Sequence, residues 1–145
     1  MNRESHTEFM AIALEESKKA LPNCLPNPPV GCVLVEDGKV VASGYTKEPG
    51  NNHAEASAIQ SITGSLENVV AYVTLEPCSF KGRTPSCANA LIERNIKEVF
   101  VAIEDPDPRN SGKGIQMLRE AEIKVTESIL SDSVFQFLSP YLGKS

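Results

Sequence analysis

The sequence predicts an α/β fold, a three-layer α/β/α sandwich around a mixed sheet of about five strands. Helical and β-prone segments alternate along the chain in the order α, β-hairpin, α, β, α, β, α, β, α. Two later runs, Val69–Leu75 and Val99–Ile103, are continuous and β-prone, as strands buried on both faces are. With 145 residues, 41% of them hydrophobic, the chain can form one compact core, so we expect a single domain over residues 1–145.

The first helix is predicted from about Thr7 to Ala20, because apolar residues recur there at helical intervals. Ser5-His6-Thr7-Glu8 has the spacing of a capping box, and His6 is interpreted as a solvated residue near the helix start. Four prolines between Pro22 and Pro29 end the helix and predict an irregular connection. Cys24, within that connection, has no partner at metal spacing, which favours a structural thiol.

A β-hairpin is predicted next, from the runs Val30–Val35 and Val40–Ala42. The pair Asp37-Gly38 lies between them, and a tight turn there needs positive φ angles that glycine adopts at little cost. Cys32 is interpreted as a small apolar residue buried in the first strand. Residues 44–52 are expected to form a loop that leads to His53.

The second helix is predicted over His53–Ile62, with His53 and Glu55 in its first turn. After it, Val69–Leu75 is interpreted as the buried central strand, and that strand is followed by Glu76-Pro77-Cys78. Open α/β sheets bind ligands at the C-terminal ends of their strands, which is where Cys78 falls. A third helix is predicted with Thr84 as its cap, Pro85 at its first position and Cys87 in its first turn.

A metal site is predicted where these elements meet. One imidazole and two thiolates are a common ligand set for zinc with a fourth position open, and His53, Cys78 and Cys87 supply it. A lone His-x-Glu is more often an exposed helix start, and a lone cysteine a core thiol. Two converging helix N-termini at a strand end favour the metal site, and they leave Glu55 for proton transfer. His-x-Glu with a later Pro-Cys…Cys is the pattern of zinc nucleobase deaminases, although here eight residues separate Cys78 from Cys87.

The rest of the chain continues the alternation. The strand Val99–Ile103 is followed by a loop that contains Asp105 and Asp107. A helix over Gly114–Glu122, a last strand over Ile123–Val125 and a terminal helix over Ser131–Leu138 complete the predicted fold.

The chain resembles the deaminase domain of bifunctional riboflavin-biosynthesis proteins, within the cytidine deaminase superfamily. The resemblance covers roughly Phe9 to Val125, and its motifs are Pro26-Asn27-Pro28-Pro29-Val30-Gly31, His53-Ala54-Glu55, Thr74-Leu75-Glu76-Pro77-Cys78-Ser79, Gly82-Arg83-Thr84-Pro85 with Cys87, Asp105-Pro106-Asp107-Pro108, and Gly112-Lys113-Gly114. The long gap between the cysteines separates it from the short-gap tRNA adenosine and cytosine deaminases. The resemblance implies a cytidine deaminase-like fold and a Zn²⁺-dependent hydrolase. Such an enzyme removes the exocyclic 2-amino group of a small-molecule aminopyrimidine, a diaminopyrimidinone ribosylamino 5′-phosphate.

The same resemblance implies roles for single residues. Glu55 would be the catalytic acid and base, and zinc would be held by His53, Cys78 and Cys87. Substrate contacts are implied for four residues: Asn27, Arg83, Asp105 and Asp107. Arg83 is expected to bind the substrate phosphate, although a solvated loop cation remains an alternative. Asp107 could equally be a turn residue between prolines.

Three positions differ from the family's usual residues. Thr46 and Phe80 stand where the family usually has histidines, and Asp107 stands for asparagine and adds negative charge near the expected phosphate. A zinc deaminase acting on another free base, nucleoside or aminated heterocycle therefore stays open. A non-catalytic, zinc-stabilised binding module is a third hypothesis, and Glu55 argues against it because a structural site has no use for an acid/base group.

Charge and composition limit the partners. Fourteen basic and nineteen acidic residues give a net charge of −5, so we expect no nucleic-acid substrate. No apolar run approaches the roughly 18 residues of a membrane helix, and the polar start lacks a signal-peptide layout, so we expect a cytoplasmic protein. Four cysteines are then interpreted as thiols or metal ligands. Membership of the superfamily implies a homodimer or homotetramer.

Overall fold

A computed structural model of the chain describes residues 3–79 and 86–142. The strands are β1 (Gly31–Glu36), β2 (Lys39–Tyr45), β3 (Val69–Leu75), β4 (Glu98–Ile103) and β5 (Lys124–Glu127). The helices are α1 (Arg3–Lys18), α2 (Ala54–Ile59), α3 (Cys87–Glu93), α4 (Lys113–Glu120) and α5 (Ser131–Leu138), and a 3₁₀ turn follows at Ser139–Tyr141.

The five strands form one mixed sheet in the order β2-β1-β3-β4-β5. Strand β1 is antiparallel to β2 and β3, whereas β3, β4 and β5 are parallel. All seven residues of β3 are buried, because the strand is central and covered on both faces. The predicted mixed sheet of five strands and the buried central strand are confirmed.

Helices cover both faces of the sheet. Gly31 of β1 meets α1, while its neighbour Cys32 points to the opposite face. Gly44 of β2 is paired with Cys32 and meets α2 on that opposite face. Helix α3 contacts both α2 and α4, and α5 packs on β4. Lys18 of α1 lies over the ring of Phe137 of α5, so these two helices share the first face and the predicted three-layer sandwich is confirmed.

The contact between β2 and α2 is as close as backbones allow. A Cβ added at Gly44 would lie 2.5 Å from the carbonyl oxygen of Ala54 and 2.6 Å from the nitrogen of Ala58. Both distances are shorter than side chains tolerate, so only glycine permits this approach. The contact fixes the height of α2 above the sheet, and with it the residues at the start of that helix.

The predicted hairpin and the two structural cysteines are confirmed. Asp37 and Gly38 adopt positive φ angles of 52° and 75° between β1 and β2. Cys24 and Cys32 are both fully buried. Strand β2 continues to Tyr45, so the prediction that the loop starts at residue 44 is wrong. Its longer pairing with β1, from Gly31 to Glu36, explains the difference.

The predicted start of the first helix and the environment of His6 are wrong. Helix α1 begins at Arg3, so the capping-box residues lie inside it. The His6 ring stacks on Phe100 with 4.1 Å between centroids, and its Nδ1 atom is 2.6 Å from the Tyr72 hydroxyl. The first turns of α1 therefore lie across aromatic residues of β3 and β4, and His6 is half-buried.

Two other helix ends differ from the prediction. Ser86 caps α3, because its Oγ accepts a hydrogen bond from the Asn89 nitrogen at 3.1 Å. The prediction of Thr84 as cap is wrong, and Thr84 and Pro85 lie outside the described residues. Helix α2 ends at Ile59 rather than Ile62. The chain continues there in backbone turns, and the Arg94 guanidinium donates to the carbonyl oxygens of Ile59, Ile62 and Gly64.

Among residues 3–79 and 86–142, no helix combines the length and apolar character needed to cross a bilayer.

Candidate active site

The cavity of interest lies beyond the C-terminal ends of β3 and β4, beside the first residues of α2 and α3. Its volume is about 340 Å³, in the range of small-molecule sites. Seven of the eight site residues predicted from the sequence line it: Asn27, His53, Glu55, Cys78, Cys87, Asp105 and Asp107. The eighth, Arg83, lies outside the described residues.

The three predicted metal ligands converge. His53 Nδ1 lies 3.2 Å from Cys87 Sγ and 3.9 Å from Cys78 Sγ. All three ligand atoms lie within 4.8 Å of one another. Tetrahedral zinc with bonds of about 2.0 Å to nitrogen and 2.3 Å to sulfur requires ligand atoms roughly 3.5–3.8 Å apart. The spacing and the soft nitrogen and sulfur donors therefore fit a zinc ion.

Local structure explains the convergence. His53 is the residue before α2, with an extended backbone (φ −72°, ψ 171°), and its side chain makes no capping bond, which leaves the imidazole to the cavity. Cys87 is the first residue of α3. Its backbone nitrogen donates to Cys78 Sγ at 3.2 Å, and the Ala88 nitrogen donates to the Cys78 carbonyl oxygen at 3.0 Å. The start of α3 thus holds Cys78 in place beyond the end of β3.

The proton affinities in this cluster differ strongly. Hydrogen bonds from Cys87 and from His53 lower the pKa of the Cys78 thiol to about 4. The same contact with Cys78, together with burial, raises the pKa of Cys87, so Cys78 is the thiol that ionises first. The hydrogen bond between His53 and Cys78 raises the pKa of His53. The proton affinities of these three side chains therefore depend on one another through their hydrogen bonds.

Glu55 lies beside this cluster and lines the cavity. Only 4% of the residue is exposed. Burial, with a smaller contribution from the charge of Cys78, raises the pKa of Glu55 to about 7. A carboxyl group with this pKa can both give and accept a proton at neutral pH.

The loop after β4 forms part of the cavity wall. Asp105 Oδ1 accepts from the Asp107 nitrogen at 3.0 Å, and Asp107 Oδ1 accepts from the Arg109 nitrogen at 2.9 Å. Both are turns closed by an aspartate side chain. The interpretation of Asp107 as a turn residue is therefore correct, and the residue also lines the cavity.

Arg109 lines the same wall and was missed by the sequence analysis. Its Nε lies 3.1 Å from both carboxylate oxygens of Asp107, and its Nη2 lies 2.6 Å from Oδ2. This hydrogen bonding lowers the pKa of Asp107 to about 2. The negative charge that Asp107 adds is thus balanced at the wall. An arginine two residues after the aspartate was the available signal.

The buried carboxylate of Glu76 holds that loop to β3. Its Oε1 accepts from the nitrogens of Asp105 and Gly112, each at 3.0 Å, and its Oε2 accepts from the Ile115 nitrogen at 3.0 Å. A Cβ at Gly114 would collide with the Pro77 carbonyl oxygen, so α4 contacts the strand end directly. Sequence reasoning assigned no role to Glu76, although an acidic residue directly before Pro77-Cys78 was a possible signal.

Asn110, also missed, belongs to the loop between β4 and α4 and is fully buried. Its Oδ1 accepts from the Ser79 nitrogen at 2.9 Å. Its Nδ2 donates to the Pro77 carbonyl oxygen at 3.2 Å and to Asp105 Oδ2 at 3.3 Å. No periodicity or motif marks this residue in the sequence.

Of the positions that depart from the family pattern, Thr46 lines the cavity and is buried. Its Oγ1 accepts from the Val30 nitrogen at 3.0 Å, so the hydroxyl is engaged with the neighbouring wall. Phe80 lies outside the described residues.

Comparison with known proteins supplies the family. Residues 3–103 match the family described as the cytidine and deoxycytidylate deaminase zinc-binding region. Riboflavin biosynthesis protein RibD of Actinobacillus pleuropneumoniae is 44% identical over 125 residues, which are 86% of this chain and 33% of that protein. The diaminohydroxyphosphoribosylamino-pyrimidine deaminase of Buchnera aphidicola is 41% identical over 123 residues, 85% of this chain and 84% of that protein.

The same likeness holds for solved structures. Acinetobacter baumannii RibD, form 2, superposes with a TM-score of 0.92 at 38% identity, covering 97% of this chain and 40% of that one. The chain spans about a third of the length of the RibD proteins that it matches. The predicted cytidine deaminase-like fold and the resemblance to riboflavin-biosynthesis deaminases are both confirmed.

Proposed function

Because the chain belongs to the family of cytidine and deoxycytidylate deaminase zinc-binding regions, we propose that it hydrolyses an exocyclic amine of a pyrimidine. The observation that carries the proposal is the convergence of His53, Cys78 and Cys87 beside the buried Glu55 on one cavity. Its substrate is the diaminopyrimidinone ribosylamino 5′-phosphate. Relatives named riboflavin biosynthesis protein and diaminohydroxyphosphoribosylamino-pyrimidine deaminase support that choice.

His53, Cys78 and Cys87 would hold the zinc ion. The ion would act there as a Lewis acid that activates water for attack at neutral pH. Three protein ligands are the number found in catalytic zinc sites, whereas structural sites use four. The presence of an ionisable Glu55 next to the ligands favours an enzyme over a zinc-stabilised binding module.

Glu55 moves the protons of the reaction. Its carboxylate accepts one proton from the attacking water and passes it to a ring nitrogen of the substrate. It then accepts the second proton, from the newly added hydroxyl group, and passes it to the departing amine. The new C–O bond replaces the C–N bond, and ammonia leaves. Burial supports this role, because a carboxyl group shielded from bulk water keeps its proton for the substrate.

The cavity walls bind and orient the substrate. Asn27, Asp105 and Asp107 line the cavity and are the proposed substrate contacts. Arg83 remains the proposed phosphate ligand by resemblance. The balancing of Asp107 by Arg109 supports a phosphate at this wall, since it offsets a carboxylate charge that would repel the phosphate.

A second candidate is a zinc deaminase that acts on another free base, nucleoside or aminated heterocycle. The observation that favours it is Thr46, which fills a wall position with a short hydroxyl side chain where the family usually has histidine. A changed wall alters which ring substituents fit while leaving the zinc ligands and Glu55 as they are.

Ammonia release by the zinc-loaded protein decides between these functions. The substrate 5′-phosphate is compared with its dephosphorylated form and with cytosine, cytidine and guanine. Turnover of the phosphate is expected, and turnover of another amine with the phosphate ignored would support the second candidate. Glu55→Gln should lose kcat by about 10²–10⁴-fold while keeping one zinc per chain. A parent protein that binds zinc but deaminates none of these compounds would support the binding module.

We also propose that residues 1–145 act as one unit in the cytoplasm and form a homodimer or homotetramer, with no nucleic-acid partner. Val40 and Val41, 41% and 48% exposed on the edge strand β2, support association. Light scattering after size-exclusion chromatography measures the mass directly. A monomer at all concentrations tested would contradict this proposal.

A further inference from the structure

We propose that Asn110 is a positioning residue that couples the backbone around Cys78 to the carboxylate of Asp105. One side chain would thereby set both the geometry of a metal ligand and the orientation of a substrate contact. The inference rests on the proposed zinc site and on the proposed substrate role of Asp105. It assigns Asn110 no contact of its own with zinc or substrate.

The hydrogen bonds of Asn110 are divided between two loops. Its amide group donates to Pro77 on the loop after β3 and to Asp105 on the loop after β4. Its carbonyl oxygen accepts from Ser79 on the first loop. Both amide hydrogens are used, and no other side chain of this size offers two donors and an acceptor. The full burial of the residue makes each of these bonds costly to lose.

On the metal side, the bonds of Asn110 flank Cys78. The Pro77 carbonyl precedes the cysteine, and the Ser79 nitrogen follows it. Cys78 lies outside any strand or helix, so no regular ladder fixes its backbone. Bonds from the start of α3 hold its sulfur and its carbonyl oxygen. Asn110 fixes the peptide units on either side, and so the direction in which the thiol points toward His53 and Cys87.

On the substrate side, Asn110 holds one oxygen of Asp105. The Asp105 carboxylate accepts from Asn110 through Oδ2 and from the Asp107 nitrogen through Oδ1. These two bonds determine the plane of the carboxylate at the cavity wall. Glu76 acts differently, because its bonds to this loop reach the backbone nitrogens of Asp105 and Gly112 and not the carboxylate of Asp105.

The test compares four variants with the wild-type protein. Asn110→Ala removes all three bonds. Asn110→Asp keeps the size and the acceptor for Ser79 but removes both donors, and it serves if the alanine variant folds poorly. Asp105→Ala removes the bond between Asn110 and the proposed substrate contact and keeps the bonds of Asn110 to Pro77 and Ser79. Val134→Ala, in the buried face of α5, is the control for lost stability without a positioning role.

Three quantities are measured: the zinc Kd by competition with a chromophoric chelator, kcat and KM for ammonia release, and Tm. Asn110→Ala should weaken zinc binding by about tenfold or more, as loss of groups that orient metal ligands does, and should raise KM. Asn110→Asp should raise KM at least as much, because its carboxylate faces that of Asp105. Asp105→Ala should raise KM and leave the zinc Kd unchanged, and Val134→Ala should lower Tm alone.

Two results would overturn the inference while the proposed function stands. One is a zinc Kd and KM for both Asn110 variants within twofold of those of Val134→Ala. The other is a raised KM with unchanged zinc affinity, which would mean that the two loops are not coupled through Asn110. A wild-type protein that neither binds zinc nor releases ammonia would instead overturn the proposed function, and this inference with it.

Discussion

Glu76→Gln should destabilise the protein measurably, because three backbone N–H groups depend on the two oxygens of this buried carboxylate. The glutamine oxygen can still accept from Asp105 and Gly112. The amide nitrogen then faces the Ile115 N–H, and a buried donor without an acceptor costs about 1–3 kcal/mol. At about 4 °C per kcal/mol for a domain of this size, Tm should fall by about 4–12 °C. Glu76→Ala removes both acceptor oxygens, leaves all three N–H groups without a partner, and should cost about 3–9 kcal/mol, comparable with the whole stability of a typical domain.

Urea unfolding at pH 7 and differential scanning calorimetry measure these changes. The matched control is Glu120→Gln, the same chemical change on the exposed surface of α4, which should alter the free energy of unfolding by less than about 0.5 kcal/mol. A Glu76→Gln protein within that margin of the control would refute the reasoning. It would mean that the three N–H groups find other acceptors when the carboxylate is lost.

Three further predictions concern the supports of the sheet and helices. Arg94→Ala should lower the free energy of unfolding by about 1–3 kcal/mol, because the carbonyl oxygens of Ile62 and Gly64 lose their donor; an unchanged urea midpoint would contradict it. Gly44→Ala should cost about 1–3 kcal/mol and weaken zinc binding, because the added methyl group displaces the start of α2; wild-type Tm and zinc Kd would refute this. His6 should titrate below its usual range in NMR spectra, because burial lowers its pKa and the charge of Glu98 offsets only part of this. Because the unfolded chain binds the His6 proton more readily than the folded chain, the contribution of His6 to the free energy of unfolding is present above pH 6.5 and is lost as the pH falls. A His6 titration in the usual range would contradict this prediction.

The cluster of the three proposed zinc ligands could be predicted from the sequence because the position of each depends on local structure. His53 precedes a helix, Cys78 follows a strand and Cys87 begins a helix, and these elements are visible in short patterns of residues. The rules for open α/β sheets then place the strand end beside the helix starts. No contact between distant side chains had to be known.

Residues whose role depends on distant partners could not be predicted in this way. Arg94 binds carbonyl groups about 30 residues earlier in the chain, and Asn110 binds a loop more than 30 residues earlier. The error for His6 has the same origin. Its position near a helix start says nothing of the Tyr72 and Phe100 rings, which are neighbours in β3 and β4 and lie beneath it. Hydrogen bonds and ring contacts across such separations leave no periodic trace in the sequence.

The two bonds that Glu76 makes through one oxygen have a consequence for protein engineering. Asp105 and Gly112 both donate to Oε1, so the ends of the segment between them are separated by no more than twice a hydrogen-bond length. Such a closed segment can be exchanged for sequences of different length at a closure cost that grows only slowly with length. Libraries that vary residues 106–109 and 111, while keeping Glu76, Asp105, Asn110 and Gly112, would change the wall of the cavity without altering its attachment to the sheet. Variants of this loop would show whether the proposed deaminase activity can be directed to other heterocyclic amines.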